Sequence, residues 1–460
     1  MVFAAVGVAT ALLYVAWVVW APLLPSNLYI PLLDLGKITG YTWRAALEYL
    51  FIVVSLYVLY VVGYRLVVRG RASVLAIFAI GVLLCIVVLG AYPATAVDVF
   101  GYIAHGRLMA VHQANPFVVP PDAYPSDPIL PYLAFPSEPS QYGPLWVLLG
   151  DALATIARGD LMVELLLYKA VAALAHVVGA LLVLVVGRRL GAEETHARAG
   201  AFLFLWNPLL LWEMVGNAHN DGLMMVGGLL AVWLLLRGNA LLVLPALMFG
   251  ALIKVPVIVV APLLFVAVWR HSRLAAVVYR PFWEGLDTLT ALRRTDLFTA
   301  SLGSVLRLLL EPSLGLALAS NVARWMSLGA FGAVVVITLW RALHVRGPRE
   351  IVTLGYFTLL AAALLATTWF QAWYLVWPFA FGAAVANWRR HLEMALLSLG
   401  GLLQYFVFIY LWVIGVFPPE VSLPVQGAAY LSIIGPLVLG VVAARYARRT
   451  THREETVGAN

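Results

Sequence analysis

The chain has 460 residues, 63% of them hydrophobic and only 11% charged. That is far more apolar than the roughly half-apolar, quarter-charged soluble average, and it excludes an ordinary water-soluble domain. The formal charge of +7 does not point to nucleic acid, because the basic residues sit in short loops between apolar runs, the pattern that orients membrane proteins.

Taken in order, the first apolar run, Val2 to Leu24, lacks a basic leader and is too long for a signal-peptide core, so it reads as a retained membrane helix. The second, Ala46 to Val68, ends among Arg65, Arg69 and Arg71, which places that loop in the cytoplasm. The third, Ser73 to Tyr92, therefore exits on the extracytoplasmic side. It carries the single cysteine, Cys85, which allows neither an intramolecular disulfide nor a thiolate cluster. Further runs follow at Leu161 to Val186, Ala199 to Val215, Gly222 to Leu236, Ala240 to Trp269, Val322 to Leu343, Ile351 to Thr368, Tyr374 to Ala386, Leu392 to Phe417 and Val425 to Ala444.

Together they predict an all-α, polytopic helical bundle of about twelve spans, each long enough to cross a ~30 Å hydrocarbon layer. Strands of a β-barrel would alternate polar and apolar residues, which these runs do not. Ala240 to Trp269 contains Pro245, Lys254, Pro256 and Pro262 and is expected to break. Trp283 to Arg294 reads as an amphipathic surface helix. Residues 1–449 form one membrane domain, 94–160 an extracytoplasmic loop within it, and 450–460 a disordered cytoplasmic tail. Both termini are expected in the cytoplasm of a multi-pass protein of the cytoplasmic membrane.

Polar residues near membrane spans are costly and usually face a cavity. Beyond the third run Asp98, Tyr102, His105, Met109 and His112 recur at helical spacing and form one face, with Phe100, Ala104, Leu108 and Val111 as the apolar counterpart. A helix lying on the outer surface fits this pattern, and the competing explanation for Asp98 is a plain N-cap aided by Thr95. Asn115 begins an NPF turn, and Tyr142 lies in QYGPL. A second cluster gathers Glu213, Asn217, His219, Asn220 and Asp221 at one helix junction. His219, Asp221 and Glu213 are chemically able to ligate a divalent cation but lack a diagnostic spacing, so no cofactor is assigned. The third cluster holds Gln371, Trp373 and Tyr374, with Trp369 and Trp377 readable as an interfacial aromatic belt. Lys254, inside an apolar run, either snorkels or neutralises a phosphate.

In their order, Asp98, NPF, YGPL, the NP and HND of residues 207–221, KVP at Lys254 and the Trp-Tyr-Leu-Val-Trp-Pro of residues 373–378 resemble the type-C integral membrane glycosyltransferases. Among these the chain is most similar to bacterial polyprenol-phosphate-mannose-dependent α-mannosyltransferases. The resemblance implies an inverting hexosyltransferase, with mannose as the expected sugar, acting outside the cytoplasmic membrane. Its partners would be a polyprenyl-phosphate-linked donor and a glycan or lipid acceptor. The resemblance makes Asp98 the general base. Lys254, joined by Arg307 or Arg324 if they reach the outer face, would stabilise the leaving phosphate. Tyr102, His105, Asn115, Tyr142, Glu213, Asn217, His219, Asn220, Asp221, Gln371, Trp373 and Tyr374 then become donor- or acceptor-binding residues. The rival from another class is a secondary transporter or flippase of lipid-linked sugars. Clustering of the polar groups on one face and the lack of an internal repeat count against it.

Overall fold

Apolar runs of this length leave the backbone no partner in lipid but itself, so they fold as helices. The computed structural model describes residues 1–271, 297–345 and 347–457, with the backbone alone at Tyr29, His271 and 441–457. Among the described residues no strand forms, and two isolated bridges, Pro22 with Ala91 and Thr299 with Trp369, are the extended pairings.

Helices of nine residues or more run in the order α1 (Val2–Trp20), α2 (Trp43–Val68), α3 (Val74–Leu89), α4 (Asp98–Ala110), α5 (Pro144–Ala157), α6 (Leu161–Arg189), α7 (Glu194–Leu205) and α8 (Asp221–Leu236). They continue as α9 (Ala240–Ala251), α10 (Ala261–His271), α11 (Leu302–Leu314), α12 (Leu316–His344), α13 (Pro348–Ala361), α14 (Val376–Ala384), α15 (Trp388–Tyr405) and α16 (Leu423–Val457). Their starts follow local chemistry. Thr42, Ser73 and Asp160 accept hydrogen bonds from the backbone N–H three residues on, capping α2, α3 and α6. The protein is thus an all-α polytopic membrane protein. Seven helices among the described residues are long and apolar enough to cross a membrane, or eight if the pair Glu194–Leu205 and Pro208–Gly216, bent by 40°, is one span. Shorter apolar helices such as α3, α8 and α9 pack among them.

Two expectations change in detail. The run from Ala240 breaks as its prolines require, into α9, a 3-10 turn at Val255–Val260 and α10. Pro245 itself is tolerated inside α9; the break falls at Leu252 to Lys254. Nor does α4 lie free on a surface. Phe100, Tyr102, Ile103, Ala104 and Leu108 are all buried, because α5 and α6 pack over it. That packing is backbone against backbone: a Cβ added to Gly106 would stand 2.6 Å from the Gly150 carbonyl group, so both positions must be glycine. The segment Trp283 to Arg294 lies outside the described residues.

The arginine-rich loops meet at one end of the bundle. Tyr64 near the end of α2 hydrogen-bonds His391 Nδ1 (3.0 Å), and Arg349 donates to the Val385 carbonyl (3.0 Å). A Cβ on Gly187, beside Arg188 and Arg189, would touch the Ala384 carbonyl. Asp98 and the other polar clusters lie at the opposite end, where α1 and α3 turn over and Tyr92 N–H donates to Ala21 (2.8 Å).

Candidate functional site

The site begins with the loop that follows α3. Leu35 N–H holds the Ala94 carbonyl (2.8 Å), and the Thr95 hydroxyl accepts from Trp212 Nε1 (2.9 Å) and Asn217 Nδ2 (2.6 Å). The fully buried Lys169 adds a third tie, donating to the carbonyls of Ala91 (2.9 Å) and Gly216. These bonds fix where α4 starts. Asp98 is its first residue, half-buried, and the N-cap is Val97 with no side-chain bond. Capping therefore does not account for Asp98. Its carboxylate instead accepts from the Tyr142 hydroxyl (3.3 Å).

Tyr142 is delivered by a contact between two chain turns. Gly143 N–H donates to the Ile253 carbonyl and Leu145 N–H to the Leu252 carbonyl, both at 3.0 Å. The fit needs glycine, since a Cβ at Gly143 would overlap the Leu252 carbonyl. On the other side of this clamp stands Lys254, whose ammonium lies 5.9 Å from the Tyr142 ring centroid and 5.7 Å from that of Tyr374. Lys254 Nζ donates to Asp221 Oδ2 (2.8 Å), and Trp377 Nε1 holds the other oxygen (2.6 Å). Asp221 has no exposed surface, so these two donors take the place of water on its oxygens. Gly143→Ala is expected to push the two turns apart and lower turnover at least tenfold, while α5 and the bundle remain folded. Turnover set against thermal unfolding of the purified protein checks this.

Below this pair lies a second buried group. The Glu213 carboxylate accepts from Asn217 Nδ2 (2.9 Å) and stands 3.3 Å from His219 Nε2, with both side chains fully buried. His219 Nδ1 is 3.4 Å from the Tyr102 hydroxyl, and its ring stacks on Trp373 at 4.1 Å. Tyr102 and Tyr142 meet edge to face at 4.7 Å, which joins the two groups. Tyr374 stacks on Trp377 (4.6 Å) and stands edge-on to Trp373 (5.8 Å).

The fold thus assembles Asp98, Tyr102, Tyr142, Glu213, Asn217, His219, Asp221, Lys254, Trp373 and Tyr374. The other expected residues take different places around it. His105 reaches toward the Glu138 carbonyl (3.4 Å), its ring 6.4 Å from Tyr142. Asn115 is exposed and accepts from Phe117 N–H (3.0 Å), a bond that builds its own turn. Gln371 opens the 3-10 turn that carries Trp373. Asn220 is buried within the 217–221 junction. Arg307 pairs along α11 with Glu311 (3.9 Å). Among the described residues no group of three or more His, Cys, Asp or Glu side chains is arranged to hold a metal ion, so Glu213, His219 and Asp221 do not form one. Thr95, Trp377 and Gly143 carry more of the geometry than their local sequence suggests.

His112 shares the stripe of Asp98 but serves the loop. It contacts Asp127 (2.7 Å), which also takes a forked bond from Arg107 (3.0 and 3.2 Å). Burial raises the Asp127 carboxyl, but Arg107, the Ile129 N–H and His112 together hold it below the usual range. A depressed carboxyl stabilises the fold above its unfolded value of about 3.9, and that contribution disappears as pH falls through the lower folded value. Protease resistance of residues 111–140 is expected to be unchanged from pH 7 to 5 and to fall below about pH 4.

A family model described as alpha-(1->6)-mannopyranosyltransferase, N-terminal domain, matches residues 2–270. That range holds Asp98, Tyr142, the Glu213–Asp221 junction and Lys254, while Trp373, Tyr374 and Trp377 lie beyond it. The chain is also 25% identical over 410 aligned residues to Alpha-(1->6)-mannopyranosyltransferase A of Mycobacterium tuberculosis, the match covering 78% of this chain and 72% of the other.

Proposed function

Since the chain belongs to the alpha-(1->6)-mannopyranosyltransferase family, as a membrane α-mannosyltransferase, we propose that it takes mannose from a polyprenyl-phosphate donor and passes it, with inversion, to a glycan or glycolipid acceptor. The observation that carries this is the Asp98–Tyr142–Lys254 arrangement: a carboxylate and a cation share one tyrosine at one end of an apolar bundle. A sugar whose leaving group is a lipid phosphate needs a base and a cation at that depth.

In the reaction the acceptor hydroxyl oxygen attacks the anomeric carbon, and its proton passes to Asp98. The bond from that carbon to the phosphate oxygen breaks, with the electron pair leaving on the phosphate. Tyr142 holds Asp98 in place. Lys254 offsets charge on the departing phosphate. The arginine-rich loops lie at the opposite end, which under the positive-inside rule supports transfer on the extracytoplasmic face of the cytoplasmic membrane.

The test is reconstitution of the purified protein in vesicles with radiolabelled polyprenyl-phosphate mannose. Acceptor-dependent release of free polyprenyl phosphate is the expected result. Movement of label into the vesicle lumen with the sugar–phosphate bond intact would count for a flippase and against transfer.

A further inference from the structure

At the 213–221 junction Asn217 Oδ1 and both side-chain amide atoms of Asn220 are buried and have no hydrogen-bond partner among the described residues, while the Glu213 carboxylate, beyond its bond from Asn217, faces the Tyr405 hydroxyl. Native interiors hold few such groups, because each forfeits its hydration without compensation. The backbone here is strained as well. Ala218, fully buried, adopts a left-handed φ of 58°, a conformation that persists only where the surroundings impose it. Nothing in packing alone calls for an asparagine at position 220. Its amide caps no helix, and α8 begins without a side-chain bond.

We infer that this junction is the subsite for the hexose of the donor. The claim rests on the transferase function proposed above and goes further by assigning the sugar's place. Glu213 Oε1 and Asn217 Oδ1 can only accept, while the Asn220 amide both donates and accepts. A ring of hydroxyl groups complements that set, since each hydroxyl supplies one donor and two acceptor sites. The location selects donor over acceptor. Asp221 is next in sequence to Asn220 and binds Lys254, and Trp373, stacked on His219, adjoins Tyr374 beneath Lys254. The hexose is bonded directly to the phosphate, so it must lie within one sugar's breadth of the cation that receives that phosphate.

The test compares two ligands in the full-length protein: polyprenyl-phosphate mannose, and bare polyprenyl phosphate, which lacks the hexose. Asn220→Ala removes an amide that bonds nothing among the described residues, so thermal stability is expected to hold or rise. Affinity for polyprenyl-phosphate mannose should drop roughly tenfold, the scale of one lost buried hydrogen bond. Affinity for bare polyprenyl phosphate should not change. Glu213→Gln should show the same selective loss. Equal weakening of both ligands, or no weakening of either, would overturn the assignment of the hexose. A wild-type protein that binds neither ligand would instead overturn the underlying transferase reading.

Discussion

Asp98→Asn is expected to lower mannosyl transfer by about 10²–10⁴-fold, the usual contribution of a general base, while the protein still inserts, folds and binds donor. The amide has the shape of the carboxylate, and its oxygen can still accept from Tyr142. What it loses is basicity. Because Asp98 is half-buried and its hydrogen bond among the described residues comes from the Tyr142 hydroxyl, neutralising it strands no opposite charge among those residues. The loss should therefore fall on kcat with little change in thermal stability or donor affinity. Near-normal turnover by this variant would remove Asp98 from the chemistry and leave its position at the start of α4 without a catalytic meaning.

Lys254→Met is expected to abolish activity for two separable reasons. Among the described residues Asp221 would keep only the Trp377 indole as a partner, and a carboxylate left unpaired in a buried site typically costs about 3–5 kcal/mol. The cation proposed to meet the leaving phosphate would also be gone. The double variant Asp221→Asn with Lys254→Met removes the stranded charge and should recover most of the stability, yet remain inactive and bind polyprenyl phosphate weakly. The two residues touch, so their effects should be strongly non-additive in stability. If the double variant regains turnover along with stability, Lys254 serves the fold alone and the leaving phosphate is met elsewhere.

These experiments bear on residues of unequal visibility in the sequence. Asp98 stands out because an acid directly after an apolar run has few neutral explanations, and the break at Lys254 is announced by its prolines. Their relation was hidden. Tyr142 and Lys254 meet only because Gly143 carries no side chain to strike Leu252, and glycine in a proline-containing turn looks the same whether or not another backbone rests on it. Trp377 reads as one more interfacial tryptophan until its indole is found on Asp221. The helical stripe misled in the other direction. His112 repeats in phase with Asp98, but its partner Asp127 lies in the following loop, so periodicity could not separate a residue that braces the loop from one that lines the site.

The clamp at Gly143 has an electrical side. Two of the free N–H groups at the start of α5 are met by the Leu252 and Ile253 carbonyls at the end of α9. The positive pole of one helix is set against the negative pole of the other, and the two largely cancel. The start of α5 thus cannot attract an anion, although it lies beside Tyr142. The poles of α4 and α8 are not cancelled in this way. These helices begin at Asp98 and Asp221, and their fields favour the negative charge of those two carboxylates. At the start of α5 the fold matches one pole with another helix, and at the starts of α4 and α8 it sets a carboxylate of the chain itself.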